Sequence, residues 1–248
     1  MRRCLHGVQL IAVVTALGAV PVFAQAPPAA PKIWTATAGG GLAVTSGNTD
    51  TSTVNASYDV TYDPQTQNVV KSDGLFLRGK TEGDLSADRL GLNGRDEFKF
   101  NKRAYVFGQN QFLRDRFKDI TYLLAPTAGL GYAIAASDAT KLGVDAGLGG
   151  VWEKNPGFDV RASGAVTLGE KLAHVLTPTT AVSQSYSGLW KTADFGDSLH
   201  IFNVGVAVSM TSRIQFKFDL LDTFKNQPPL PTIQKNDVAT LISLVFKM

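Results

Sequence analysis

The sequence predicts an all-β protein, a closed, antiparallel, up-and-down transmembrane β-barrel of about 12 strands, set in an outer membrane. Three observations lead there. An export leader opens the chain. From Ile33 to the last residue, apolar and polar side chains then alternate with period two. The turns that interrupt this alternation are by turns brief and long.

The leader has a basic head, Arg2 and Arg3. Val8 to Val20 is apolar apart from Gln9 and Thr15, and Val22-Phe23-Ala24 is a small-residue cleavage site. This is the pattern of a signal peptide at residues 1–24. Its apolar stretch falls short of the roughly 20 residues that a membrane-crossing helix needs. Cys4 precedes that stretch and is no lipidation site. Residues 25–32 are rich in Pro and Ala and are expected to form a flexible N-terminal segment ahead of a barrel domain at 33–248.

Composition excludes several classes. With 44% hydrophobic and 18% charged residues, the chain is not a disordered one. Cleavage after Ala24 removes two basic residues and no acid, leaving 22 basic against 21 acidic. That balance carries no nucleic-acid footprint. The mature chain has no Cys, which excludes disulfides, thiolate ligands and thiol nucleophiles. His174 and His200 remain without ligand spacing, so no metal site and no cofactor is expected.

The strands follow from the alternation. In 139–152, Leu142, Val144, Ala146, Leu148 and Trp152 share one face, while Lys141, Gly143, Asp145, Gly147 and Gly149 share the other. In 53–62, Val54, Ala56, Tyr58, Val60 and Tyr62 oppose Thr53, Asn55, Ser57, Asp59 and Thr61. Segments of this kind fall at 33–45, 51–63, 68–80, 89–101, 104–114, 120–135, 139–152, 158–169, 173–186, 198–210, 212–225 and 237–247. Several match the roughly 9–11 residues that cross a bilayer at a tilt. An even number of strands puts both chain ends on the periplasmic side. Brief turns at 63–66, 101–102, 136–138, 169–171 and 211–212 would be periplasmic. Longer connections at 46–50, 82–88, 115–119, 153–157, 187–197 and 226–236 would be external. Trp34, Tyr62, Tyr105 and Tyr132 are placed at the periplasmic rim, and Phe112, Trp152, Phe158 and Phe224 at the external one. The last strand alternates through Thr240, Ile242, Leu244, Phe246 and Met248, a terminal pattern that suits the barrel-insertion machinery. Three places fit less well. Asp96 shares a face with Leu90, Leu92 and Phe98, which asks for an interfacial position or a bulge. Gln109 and Gln111 share a face with Tyr105 and Phe107. Pro178 interrupts the segment 173–186.

Three groups of residues also carry a family resemblance. They are Leu42-Ala43-Val44-Thr45-Ser46-Gly47-Asn48-Thr49-Asp50-Thr51; Arg114-Asp115-Arg116-Phe117 with Ala128-Gly129-Leu130-Gly131-Tyr132; and Asn226-Gln227-Pro228-Pro229 with Lys235-Asn236-Asp237 and Ser243-Leu244-Val245-Phe246. In this order the chain resembles the YdiY-like salt-induced outer-membrane proteins, a domain family of unknown function. The resemblance implies an outer-membrane barrel and expression linked to salt or osmotic conditions. It implies no reaction, because the family has no assigned catalytic residues.

The expected lumen-lining residues are Arg78, Lys80, Arg89, Arg95, Glu97, Lys99, Asp145, Asp159, Arg161, Lys217 and Asp219. Such a mixed-charge interior fits a narrow channel for small ions or polar solutes, or a plugged barrel whose charges pair with one another. Arg114, Arg116 and Lys118 lie in an external loop of alternating sign. They suit contact with lipopolysaccharide phosphates, or a self-paired solvated loop. Outer-membrane lipid is the surrounding partner, and the oligomeric state is open. An outer-membrane lipid hydrolase would need a Ser–His pair at about 3 Å. His174 is expected near a periplasmic turn, with Ser183 and Ser185 toward the other end of its strand. His200 is expected near the external rim with Ser198 adjacent, on the premise that neighbouring strand residues point to opposite faces. No catalytic residues are therefore expected, and the chain is not expected to be an enzyme. A soluble periplasmic β-sandwich that binds a ligand is the remaining alternative.

Overall fold

Period-two alternation gives each strand two faces of opposite character, and a sheet with an apolar outer face has no tolerable free edge in lipid. The computed structural model describes residues 32–45 and 51–248; the leader and the turn at 46–50 lie outside the described residues. The twelve strands are β1 (Trp34–Thr45), β2 (Thr51–Tyr62), β3 (Asn68–Thr81), β4 (Asp84–Lys99), β5 (Ala104–Asp115), β6 (Ile120–Ala136), β7 (Thr140–Lys154), β8 (Arg161–Thr177), β9 (Thr180–Lys191), β10 (Asp194–Ser209), β11 (Ile214–Lys225) and β12 (Asn236–Lys247). Each pairs antiparallel with its neighbours in sequence, and β1 pairs with β12 to close the barrel.

The seam is short, running from Thr37 opposite Lys247 to Gly40 opposite Leu244. The Met248 amide lengthens it at one end by donating to the Ala36 carbonyl at 2.9 Å. At the other end the two strands pass at Gly41, where a Cβ would lie 1.9 Å from the Ile242 carbonyl oxygen. The bare glycine lets the Asn55 amide of β2 reach over it and donate to that same carbonyl at 3.3 Å. A polar side chain thus satisfies the acceptor where the main-chain ladder stops.

Contacts between strands that are not neighbours identify the inner face. Arg89 of β4 bonds Thr223 of β11, Arg95 of β4 pairs with Asp145 of β7, and Lys225 of β11 pairs with Glu153 of β7. The opposite face is the outer one. It exposes Leu42, Val54, Leu92, Leu130 (65%), Leu148 (67%), Leu168, Phe216, Phe218, Ile242 and Leu244. So wide an exposed apolar belt is unfavourable in water and suits surrounding lipid.

The expected strand number holds, and several boundaries move. Glu82 and Gly83, both with positive φ, make a two-residue turn, so most of 82–88 is strand β4. The segment 169–171 is not a turn. Gly169 continues β8 because the Asp145 carboxylate lies over it, 2.5 Å from where its Cβ would be. The turn falls at Pro178–Thr179, where the missing proline N–H costs nothing and Thr177 Oγ1 accepts from the Thr180 amide at 3.0 Å. The segment 187–197 is likewise mostly strand, with a turn at 192–193 and an irregularity between Asp194 and Ser198. Short and long connections therefore alternate less regularly than expected. No bulge relieves Asp96. The β3–β4 and β4–β5 registers run through it unbroken, and it sits exposed on the outer face near the end of the barrel that carries the termini. Tyr105 and Phe107 face inward, not toward the rim, which is why Gln109 shares their face without a bulge.

Replacing Gly41 with Val is expected to prevent closure, seen as loss of the compact heat-modifiable gel band. Asn55→Ala leaves a buried carbonyl without its donor and should lower unfolding stability by about 1–3 kcal/mol, measured by urea titration in detergent micelles.

Candidate functional site

The lumen has two layers. In the half nearer the termini it is polar, and Arg95 is its hub. The Arg95 guanidinium donates to Glu97 at 2.8 Å, Asp145 at 3.0 Å and Gln109 at 2.9 Å, and its centre lies 3.8 Å from the Phe107 ring centroid. Planar donors on one face and an aromatic ring on the other suit guanidinium chemistry. Lys71 joins Glu97 at 2.7 Å, Asn93 donates to Asp73 at 3.2 Å, Lys217 pairs with Asp219 at 2.9 Å, and Lys99 pairs with Asp63 at the mouth. Glycine makes room for these groups. A Cβ on Gly131 would meet the Tyr105 ring at 2.1 Å, and one on Gly147 would meet Phe107 at 3.1 Å.

In the other half the inner face carries buried leucines beside buried polar groups such as Arg89, Asp115 and Thr223. Leu113, Ile120, Leu123, Val151, Leu189 and Leu199 form one buried cluster, while Leu77, Leu221 and Leu241 form a second. Ile201 of β10 packs against both. Leu77 of β3 thus clusters with Leu221 of β11 and Leu241 of β12, strands that are not its neighbours. Above them sits an ion-pair lattice. Glu153 accepts from Lys191 at 2.8 Å and from Lys225 at 3.1 Å, and Asn155 donates to it at 2.9 Å. Asp197 shares Lys225 at 3.2 Å. Lys118 is wholly buried. It spans the mouth to Asp237 at 2.8 Å and to the Gln234 carbonyl at 2.7 Å.

On the outer face two polar groups stand at this same end. Arg114 and Arg116 both reach Asp88, at 2.8 and 3.6 Å, and Arg78 is the cross-strand partner of Asp88 on its other side. The second group lies on β9 and β10. His200 Nε2 is 3.0 Å from Ser198 Oγ, and His200 Nδ1 is 2.7 Å from the Tyr186 hydroxyl. Trp190 meets the imidazole edge-on at 5.0 Å, and Phe224 flanks it at 5.8 Å.

The structure thus places Arg89, Arg95, Glu97, Lys99, Asp145, Lys217 and Asp219 on the inner face, most of them ion-paired. Arg78 and Lys80 lie on the outer face instead. Their neighbours Leu77 and Gly79 take the inner one, where Leu77 stands between Asn55 and Arg89 and clusters with Leu221 and Leu241. Asp159 is in the connection 155–160, and Arg161 lies exposed at the rim over the Phe158 ring. Lys118 is no external contact, being sealed into the mouth. Asp115 caps the 3-10 turn Arg116–Lys118 and pairs with Arg89, while Arg114 and Arg116 turn to Asp88. The loop is therefore not self-paired. The expected separation of Ser198 from His200 is corrected too. The two are two residues apart, so they share a face. The turn at 178–179 also brings Ser183 beside Ala173, on the face opposite His174, whose ring bonds Thr140. Glu153, Lys191, Asp197 and Lys225 are missed by sequence reasoning because the first three fall in segments it reads as loops.

A closed twelve-strand antiparallel barrel with an apolar exterior is the architecture of outer-membrane β-barrels. Residues 38–248 match the family model described as "Protein of unknown function, DUF481", and the chain belongs to that family. No curated protein matches the sequence. Among solved structures, it is similar to the COG4313 outer membrane channel from Pseudomonas putida F1, at 13% identity and a TM-score of 0.50, covering 90% of this chain and 100% of that one. It is also similar to the NanC porin, at 8% identity and a TM-score of 0.48, covering 86% and 96%. A third similar structure is the KdgM porin in complex with disordered oligogalacturonate, at 6% identity and a TM-score of 0.44, covering 87% and 98%. At these identities the likeness concerns the fold.

Replacing Glu153 with Gln leaves Lys191 and Lys225 buried with one carboxylate fewer. The expected cost is about 3–5 kcal/mol, read as a lower urea midpoint in micelles. The exposed Asp159→Asn serves as the comparison and should change stability by less than about 0.5 kcal/mol.

Proposed function

We propose that this chain spans the outer membrane as a barrel held shut toward the cell exterior, and that its role is exercised at its outer surface in contact with lipopolysaccharide. Export by a cleaved leader at residues 1–24 and recognition of the final strand by the barrel-insertion machinery belong to the same reading. The termini then face the periplasm, and the leucine-filled half faces outward.

The observation that carries this reading is the cluster that Leu77 of β3 forms inside the barrel with Leu221 of β11, Leu241 of β12 and Ile201 of β10, strands that are not its neighbours. An ion passing these leucines sheds part of its hydration, and Arg95, Glu97, Asp145, Glu153, Lys191 and Lys225 are already paired with one another. Steady passage of solute is therefore disfavoured despite the charged interior. Outside, Arg78, Arg114 and Arg116 surround one carboxylate, Asp88, directly above outward residues such as Phe76 and Leu90. Arginine forks at that height suit the phosphates of the lipid headgroup layer. Expression tied to salt or osmotic conditions, implied by the family resemblance, concerns when the barrel is made and not what it does.

In planar bilayers the purified barrel should give no stepwise conductance, whereas Leu189→Gly with Leu221→Gly should open measurable steps. Stepwise conductance from the unmodified chain would overturn the sealed reading. Bis-phosphorylated lipid A should raise the thermal midpoint in micelles, and the triple replacement of Arg78, Arg114 and Arg116 by Gln should abolish that rise.

A further inference from the structure

We propose that Ser198, His200 and Tyr186 form a lipid-ester hydrolysis site on the outer face of the barrel. This goes beyond the surface role above and stands whether or not the barrel conducts.

The strand geometry builds the site. Ser198 and His200 are two apart on β10 and so point the same way. Ser198 follows the irregularity that begins at Asp194, where Phe195, Gly196 and Asp197 have no partners on β9. Such interruptions re-aim side chains. Tyr186 projects from the same face of β9, beside Phe202. The 3.0 Å contact from Ser198 Oγ to His200 Nε2 matches a nucleophile and its base. The 2.7 Å contact from His200 Nδ1 to the Tyr186 hydroxyl supplies the third group that holds the ring. With Nδ1–H donating to the phenol oxygen, Nε2 is left as the acceptor for the serine proton. Gly188 is the floor of the cup. A Cβ there would lie 2.7 Å from the Tyr186 hydroxyl and 2.6 Å from the Trp190 ring. Trp190 and Phe224 wall it, and both suit the glycerol-ester level of a membrane.

This location selects the substrate. The site faces lipid and not the lumen, so its substrate is a membrane acyl ester. Ser198 Oγ attacks the ester carbonyl carbon and its proton passes to His200 Nε2. The tetrahedral adduct breaks its bond to the alcohol oxygen, which takes the proton from Nε2 and leaves as the lysolipid. Water then attacks the acyl-serine with His200 again accepting the proton. The fatty acid departs, and Ser198 recovers its hydrogen. Tyr186 is a positioning residue. Ser198 is only 5% exposed and lies cross-strand from Trp190, so the indole must swing aside for an ester to enter.

The test uses the full barrel in detergent micelles with phosphatidylethanolamine carrying labelled acyl chains, each variant first shown folded by its heat-modifiable band. The expected result is fatty-acid release that falls about a hundredfold or more in Ser198→Ala and His200→Ala. Tyr186→Phe should lower kcat with little change in KM, because it acts on the base and not on lipid binding. A fluorophosphonate probe should add its mass to the peptide containing Ser198, and Trp190→Ala should speed that labelling. Release unaffected by Ser198→Ala, or a folded barrel giving neither release nor labelling with Trp190 in place or removed, would overturn the proposal.

Discussion

The structure depends on closure of a single sheet. Closure pairs the two end strands along a short seam and fixes an interior that the inner side chains have to fill. Twelve strands enclose more than one leucine can span, so walls meet only through side chains stacked in layers or through long ones reaching across. Both devices are present. Leucines and Ile201 join into a continuous layer, while Arg89, Arg95, Lys118 and Lys225 each reach a partner on a strand or connection that is not their neighbour. The long cations are useful here because their aliphatic stems add apolar volume while their heads find carboxylates.

Volume is balanced locally as well. Where the lumen holds an aromatic ring, the facing position is glycine, as with Tyr105 over Gly131 and Phe107 near Gly147. Where it holds a carboxylate, the same is seen at Gly169 under Asp145 and at Gly205 near Asp219. The glycine-rich inner rows of β6 and β7 are therefore matched to the bulk of β5.

This filling also explains what was legible in the sequence. Strand number, antiparallel order and closure follow from the alternation, because a period-two pattern survives errors of a few residues in its limits. The facing of β4 was legible too, since Arg95, Glu97 and Lys99 are polar and the lower lumen is polar. β3 was not. Its far end offers Leu75 and Leu77 on one face and Arg78 and Lys80 on the other, and a rule that sends polar residues inward chooses the wrong pair. The rule assumes a uniformly polar lumen, and this half carries buried leucines beside its ion pairs. Leu189, Leu199 and Leu221 follow the same inverted logic. The turn assignments at 169–171 and 187–197 failed for another reason. Gly-Glu-Lys and Ser-Gly sequences mark turns when considered alone, but here the glycines make room for Asp145 and for Trp190 with Tyr186.

The outer face shows how the same energetics treats charge. Asp96 tolerates its outward position at one end because a carboxylate near the interface costs little, whereas deeper in the belt the outward Glu170 takes a hydrogen bond from Gln184 among apolar neighbours. At the opposite end, outward polarity includes two organised groups besides Asp222. One is cations gathered around Asp88. The other is a serine, a histidine and a tyrosine that satisfy one another between aromatic rings. Neither belongs to the leucine clusters or the Glu153 lattice, which lie on the inner face. A polar side chain facing lipid without a structural duty lowers stability. Two such groups at headgroup height therefore direct attention to what meets this barrel from the membrane side.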